Sequence, residues 1–210
     1  MFYNCKQLNE LNLNNFITSE VTSMDNMFRN CINLNSLNLS KFDTSKVTDM
    51  NNMFNSCSNL KELNLSNFNT INVTIMENMF NNCKSLISLY LDNFNTTKVI
   101  NMNLMFNNCF SLESLDLSSF DTNNVKEMQS MFNNCSSLIS LNINNFNVSS
   151  NTNFNSIFKN CKSLLLLEFD NYNSYNNIIL KDKMIEGFSS KLLFCLKIDT
   201  NLINNNEYNC

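Results

Sequence analysis

A strict 26-residue repeat is the feature that most constrains how this chain of 210 residues can fold. Seven similar copies follow one another without insertion or deletion, and they begin at Met1, Met27, Met53, Met79, Met105, Met131 and Ile157. Such a period is typical of solenoids, in which each unit buries its apolar face only against its neighbours. We therefore predict two parts, a seven-unit repeat solenoid over residues 1–176 and a C-terminal capping helix and tail over residues 177–210.

Two periodicities follow each other inside one unit. Apolar residues first recur at spacings of three and one, which fits one face of a helix; in one copy they are Val47, Met50, Met53, Phe54, Cys57 and Leu60. The segment from Leu60 to Leu65 then alternates between apolar and polar residues, which predicts a short strand. The predicted fold class is an α/β repeat solenoid of parallel stacked short strands with one short helical turn per unit.

Stacking would place equivalent residues of successive units in columns. Two columns are aromatic, running from Phe28 to Phe158 and from Phe16 to Tyr172. Asn makes up roughly a fifth of the chain, whereas Pro is absent and Gly occurs once, so tight corners must use Asn, Asp and Ser. An AT-rich genome and stacked Asn ladders are compatible explanations of the Asn excess.

Composition narrows the classes of function. The net charge of −4 comes with no basic stripe, which argues against a nucleic-acid partner. The chain contains no run of 18 apolar residues, so we predict no membrane insertion within it. The chain has no His and one Gly, which excludes Ser-His or Cys-His nucleophiles and a glycine-rich phosphate loop. We therefore expect neither an enzyme nor a cofactor.

Seven cysteines recur in register on the apolar face: Cys5, Cys31, Cys57, Cys83, Cys109, Cys135 and Cys161. Without His or CxxC pairs they predict no metal site, and we interpret them as small buried hydrophobes. Cys195 and Cys210 lie outside the repeat, where they either form a disulfide, which would suit an oxidising compartment, or remain free thiols.

The pattern MFxNCxSLxSLxLSxFxTxxVxxM, repeated over residues 1–176, resembles the BspA-type leucine-rich repeat, also described as a 26-residue mycoplasma-lipoprotein-associated repeat. The resemblance implies a leucine-rich-repeat-like solenoid on secreted or surface proteins linked with adhesion. It supplies no catalytic residues. We thus expect an extracellular or cell-surface location, with a cytoplasmic one as the alternative. The chain starts within the repeat, without a signal peptide or polar cap, so we expect a fragment, a truncated product or part of a longer array.

The strand side that points away from the core is the candidate binding surface, because repeat proteins often bind partners along such a sheet. Its candidate ligand-binding residues are Glu62, Asn64, Tyr90, Asp92, Asp116, Asn142 and Glu168. We expect a recognition or adhesion module that binds protein or glycan there. The alternatives are an intracellular leucine-rich-repeat scaffold and a purely structural spacer array.

Overall fold

The computed structural model of the protein describes residues 1–147 and 152–168, together with the backbone of residues 193–195. The strands in these residues are β1 (Glu62–Asn64), β2 (Ser88–Tyr90), β3 (Ser114–Asp116), β4 (Ser140–Asn142), β5 (Leu166–Glu168) and β6 (Leu193–Cys195). Neighbouring strands pair in parallel, and equivalent residues of successive units face each other, as Leu63 faces Leu89. The predicted class, a solenoid of stacked parallel strands, is confirmed.

The six strands form two sheets, one of β1 and β2 and the other of β3, β4, β5 and β6 in that order. Strand β6 extends the second sheet beyond residue 176, since Leu166 pairs with Leu193. It therefore lies in the range that we predicted as cap and tail. The capping helix predicted around residues 178–188 and the last aromatic rung, Tyr172, fall outside the described residues.

A second β ladder runs along another side of the stack. It consists of single parallel bridges that join Ser23, Asp49, Ile75, Asn101, Glu127 and Asn153 in succession. Each bridge belongs to a backbone network in which one unit donates to the next; Met76 N, for example, donates to Asn101 O over 3.0 Å. The ladder links the first six units without interruption, and Phe132 N continues the network by donating to Ile157 O of the seventh over 2.9 Å, so the described units form one continuous stack.

The predicted helical turn takes a different form, because residues 1–147 and 152–168 contain no α-helix. Two positions of the repeat instead adopt positive φ, as Asn78 at 56° and Asn82 at 60° do. These left-handed residues break the helix into successive tight turns, in which Met79 N donates to Met76 O and Cys83 N to Phe80 O. The same three-residue spacing of apolar side chains results, which explains why the pattern suggested a helix.

Aromatic rings fill the core in two columns. The rings from Phe2 to Phe158 stack with centroid distances of 5.4 to 5.6 Å and interplanar angles of 4 to 12°. A second column from Phe68 to Phe146 stacks at 6.0 to 6.5 Å. Burying a side chain of this size contributes about 1.5–3 kcal/mol, so the columns account for much of the cohesion between units.

Polar columns lie beside the aromatic ones. Six buried thiols each donate to a phenylalanine carbonyl of the preceding unit, as Cys83 Sγ does to Phe54 O over 3.2 Å. Buried threonines connect neighbouring units in the opposite direction: Thr70 Oγ1 donates to Asn95 O and accepts from Asn95 N. Sequence reasoning missed this threonine column because it looked for apolar residues, although its 26-residue recurrence was visible.

Asparagine amides form the stacked ladders that the composition suggested. In the longer ladder each Nδ2 donates to the Oδ1 one unit back, over 2.7 to 2.9 Å, through Asn82, Asn108, Asn134 and Asn160. A shorter one joins Asn81, Asn107 and Asn133 at 3.0 Å. The amides pair along each ladder in a partly buried site, where an unpaired polar group is costly, but Asn133 Oδ1 at the end of the shorter ladder is buried without a hydrogen-bond partner.

Candidate functional site: the strand face

The strand face comprises the outward-pointing residues of β1–β5 and the first outward residue after each of β1–β4. It contains all seven of the predicted ligand-binding residues. Glu62, Asn64, Tyr90, Asp92 and Asp116 are exposed, whereas Asn142 and Glu168 are half-buried. The pairing of β1 with β2 places Asn64 beside Tyr90, and that of β4 with β5 places Asn142 beside Glu168. The fold thus gathers residues from five units on one surface.

Three of the seven residues also form a turn at the end of their strand. Asn64 Oδ1 accepts from Ser66 N over 2.9 Å, and Asp116 Oδ1 accepts from Ser118 N over the same distance. Asn142 makes the equivalent turn with Asn144 N at 3.1 Å. These are Asx turns, which Asn and Asp favour because the side chain replaces a backbone acceptor. Recurrence of Asn or Asp at this position therefore has a structural reason, and one oxygen of Asp116 carries the turn.

Tyr90 occupies the same position of its unit but cannot form an Asx turn. Its side chain is 43% exposed, and its carbonyl accepts from Leu65 N over 3.1 Å, so the backbone keeps the register of the stack. A tyrosine here gives up a local hydrogen bond and exposes an aromatic ring. Aromatic residues with a polar tip are enriched at binding surfaces, which makes Tyr90 the most distinctive residue of the strand face.

The strand ladder is interrupted next to Tyr90. Strand β2 belongs to the first sheet and β3 to the second, so the junction between the two sheets falls between the unit of Tyr90 and that of Asp116. On the near side, Ser66 Oγ donates to Asp92 Oδ2 over 2.9 Å and ties the carboxylate to the preceding unit. Tyr90, Asp92 and Asp116 thus lie around the junction between the two sheets, which the sequence alone did not reveal.

Nothing in the described part of the chain resembles a metal centre: no group of three or more His, Cys, Asp or Glu side chains is arranged to hold an ion. Burial raises the pKa of the Cys83 and Cys161 thiols to about 12, because the apolar surroundings disfavour a thiolate. These thiols are therefore unreactive at neutral pH. The Cys195–Cys210 disulfide stays a prediction, since Cys210 and the Cys195 side chain lie outside the described residues.

The comparison with protein families decides the membership of the chain. A family described as "Mycoplasma protein of unknown function, DUF285" matches residues 1–90 and again residues 87–191, which together make up most of the sequence. The chain belongs to the DUF285 family. This confirms the resemblance to the 26-residue mycoplasma-associated, BspA-type leucine-rich repeat, and it identifies the DUF285 chain as a repeat module.

The comparisons with solved structures and with curated proteins add less about this chain. A leucine-rich repeat protein from Bacteroides ovatus is 17% identical to this DUF285 chain, with a TM-score of 0.34. The match covers 93% of the DUF285 chain and 64% of the Bacteroides protein, so the chain spans about two thirds of that protein's length. A TM-score this low supports no conclusion about shared function. No curated protein is significantly similar to the chain. Among the described residues, no helix is long and apolar enough to cross a membrane.

Proposed function

We propose that the protein is a non-catalytic recognition module of a surface or secreted protein, which binds a protein or glycan ligand through the strand face. The observation that carries this proposal is Tyr90, an exposed aromatic residue at a position where neighbouring units place a turn-forming Asn or Asp. Membership of the DUF285 family and the resemblance to adhesion-linked repeats support it. The repeat is a rigid scaffold for such a surface, because its cohesion comes from columns behind the strand face.

The test replaces Tyr90→Ala, Asp92→Asn and Asp116→Asn together in the full chain. Asn at position 116 retains the oxygen that accepts from Ser118 N, so the turn survives. Adhesion of labelled protein to host cells and to immobilised matrix proteins and glycans is measured against wild type. We expect the triple variant to lose at least tenfold in affinity, since central aromatic contacts dominate many interfaces.

The matched control is Ile100→Ala with Lys126→Gln, which changes an exposed apolar residue and exposed charge elsewhere on the stack; Ile100 is 47% exposed. This variant should bind like wild type, and both variants should unfold at about the wild-type temperature. Wild-type binding that survives the triple substitution would support a spacer array. Recovery of the native protein only from cytosol would contradict the proposed location.

A further inference from the structure

The strand side of the stack, where β1–β5 lie, is held least firmly between the fourth and fifth units. After β1 and β3 the next residue donates its backbone N–H to the following unit, Leu65 over 3.1 Å and Leu117 over 2.9 Å, whereas Leu91 N in the described chain makes no such bond. Strands β2 and β3 are not hydrogen-bonded neighbours. No backbone bond joins the described residues 84–91 to residues 110–117, although each other junction between described units has at least one on this side.

The inward-pointing leucines of the strands show the same weakness. Leu89 of β2 is 9% exposed and Leu115 of β3 is 4% exposed, whereas Leu63, Leu141 and Leu167 in the other strands are 0 to 1% exposed. The two strands that lack a backbone bond to each other are thus the ones whose core leucines are covered least. The core is slightly open to solvent at this junction.

The turn side of the stack, which carries the bridges from Ser23 to Asn153, is fully bonded at the same junction. Met102 N donates to Glu127 O over 2.8 Å. The rings of Phe80 and Phe106 stack behind it with centroids 5.5 Å apart, as closely as elsewhere in their column. The fourth and fifth units are therefore joined by backbone hydrogen bonds on the turn side and by none on the strand side.

We infer that this junction is a hinge, made by Tyr90, at which the strand sides of the fourth and fifth units open and close while the turn side keeps the units joined. Hinges are commonly a few residues at the end of an element that absorb a change in backbone angles, and Tyr90 and Leu91 lie at the end of β2. The other junctions have backbone bonds on both sides, so the rest of the stack stays rigid. The hinge requires no ligand and is independent of the proposed function.

A missing turn at Tyr90 explains the opening. In the units on either side, Asn64 and Asp116 each accept from the backbone N–H two residues on, over 2.9 Å, and so fix the corner after the strand. A tyrosine side chain cannot form this turn, and the residue directly after it is Leu91, whose N–H lacks the bond to the next unit. Opening at this hinge changes the spacing between Asp92 and Asp116 on the strand face.

Double electron–electron resonance on the full chain measures the movement. Spin labels are attached through azide-bearing unnatural residues, which leaves the cysteines unmodified. One pair replaces Asn9 and Ile139 on the strand side and the other replaces Asp25 and Asn155 on the turn side; all four side chains are exposed, and both pairs connect the first unit with the sixth. We expect a distance distribution about twice as wide for the strand-side pair as for the turn-side pair, because only the strand side opens.

Two substitutions of one residue separate the turn from the ring. Tyr90→Asn supplies the side-chain acceptor that the neighbouring strand ends have, so the strand-side distribution should narrow to about the width of the turn-side one. Tyr90→Ala is the matched control, since it removes the ring without supplying an acceptor, and its strand-side distribution should stay as wide as in the wild type. The turn-side distribution should be the same in all three proteins.

Amide hydrogen exchange, followed by NMR, tests the same hinge at single residues. In the wild type the Leu91 amide should exchange at least tenfold faster than those of Leu65 and Leu117, because local opening governs exchange. Tyr90→Asn should slow the Leu91 amide to the rate of the other two, and Asn64→Ala, which removes a turn, should accelerate the Leu65 amide. Equal widths for the two label pairs in the wild type would overturn the hinge. Equal narrowing by Asn and Ala, or an unchanged width with Asn, would overturn the role of Tyr90.

Discussion

At the scale of single residues, asparagine has two structural tasks in this protein. It occupies most of the left-handed positions, where its short polar side chain tolerates positive φ better than other non-glycine residues do. It also builds the amide ladders of Asn82 to Asn160. Because glycine is nearly absent, asparagine takes its place at the tight corners of this chain. The composition predicted the residue types for these corners, but not which positions would be left-handed.

Leu104 is the apolar residue among the left-handed asparagines and serines of the described chain, and it gives the first stability prediction. Its φ is 57°, at a position where Asn26, Asn52 and Asn78 stand in other units. A left-handed conformation costs an ordinary residue about 1–2 kcal/mol, so Leu104→Asn should stabilise the protein by about 1 kcal/mol after some loss of apolar burial. Equilibrium urea unfolding checks this. The reverse change, Asn78→Leu, should destabilise by a similar amount, and a gain in stability there would refute the explanation.

At the scale of elements, the sequence predicted strands well and turns poorly. Alternation from Leu60 to Leu65 predicted a strand correctly because a period of two has no competing explanation. The spacing of Met76, Met79, Phe80 and Cys83 was ambiguous, because consecutive tight turns, each closed by a hydrogen bond from residue i+3 to residue i, place side chains much as a helix does. Only the backbone angles of Asn78 and Asn82 distinguish the two.

The candidate site, too, was predictable from the sequence only in part. The strand pattern sufficed to predict that Glu62, Asn64 and Tyr90 share a surface, and their exposure agrees with it. The turn-forming role of Asp116 and the sheet junction beside Tyr90 depend on hydrogen-bond geometry, which no spacing of residue types encodes. Whether these residues bind a ligand stays a prediction.

The phenylalanine column gives a prediction for an element within the stack. Phe80 is fully buried, with ring centroids 5.6 Å from Phe54 and 5.5 Å from Phe106. Phe2 is half-buried and stacks on Phe28 at 5.4 Å. Phe80→Ala should cost about 3–5 kcal/mol, the usual loss for a large core aromatic, whereas Phe2→Ala should cost much less. Thermal unfolding of the two variants compares them, and equal losses would contradict stacking in this register.

At the scale of the whole molecule, the columns do not share one spacing. Rings from Phe28 to Phe158 lie 5.4 to 5.6 Å apart, and those from Phe68 to Phe146 lie 6.0 to 6.5 Å apart. Units therefore separate more widely along the column that directly follows the strands. The same side contains the interruption between β2 and β3, whereas the bridges from Ser23 to Asn153 continue. The contacts between successive units are therefore most regular on the side of the stack away from the strand face.

Six buried thiols run the length of the stack and make its stability sensitive to alkaline pH. Burial raises their pKa values, to about 12 for Cys83 and Cys161, above the ordinary value of 9.0. Above pH 9 the unfolded chain loses thiol protons that the folded chain retains, so the unfolded state binds fewer protons and unfolding becomes more favourable. Stability should be unaffected by these thiols below about pH 9 and should fall from there toward pH 12, by up to about 1.4 kcal/mol per pH unit for each buried thiol.

Unfolding temperatures between pH 7 and pH 11, measured under reducing conditions, check this prediction. Cys109→Ala with Cys135→Ala removes two buried thiols and should make the decline above pH 9 shallower, even if stability at pH 7 is lower. Cys5→Ala removes an exposed thiol and should leave the decline unchanged. All other ionisable groups are the same in every variant, so their effects cancel in the comparison. A decline of the same slope in all three proteins would show that the thiol column does not control the alkaline limit of the fold.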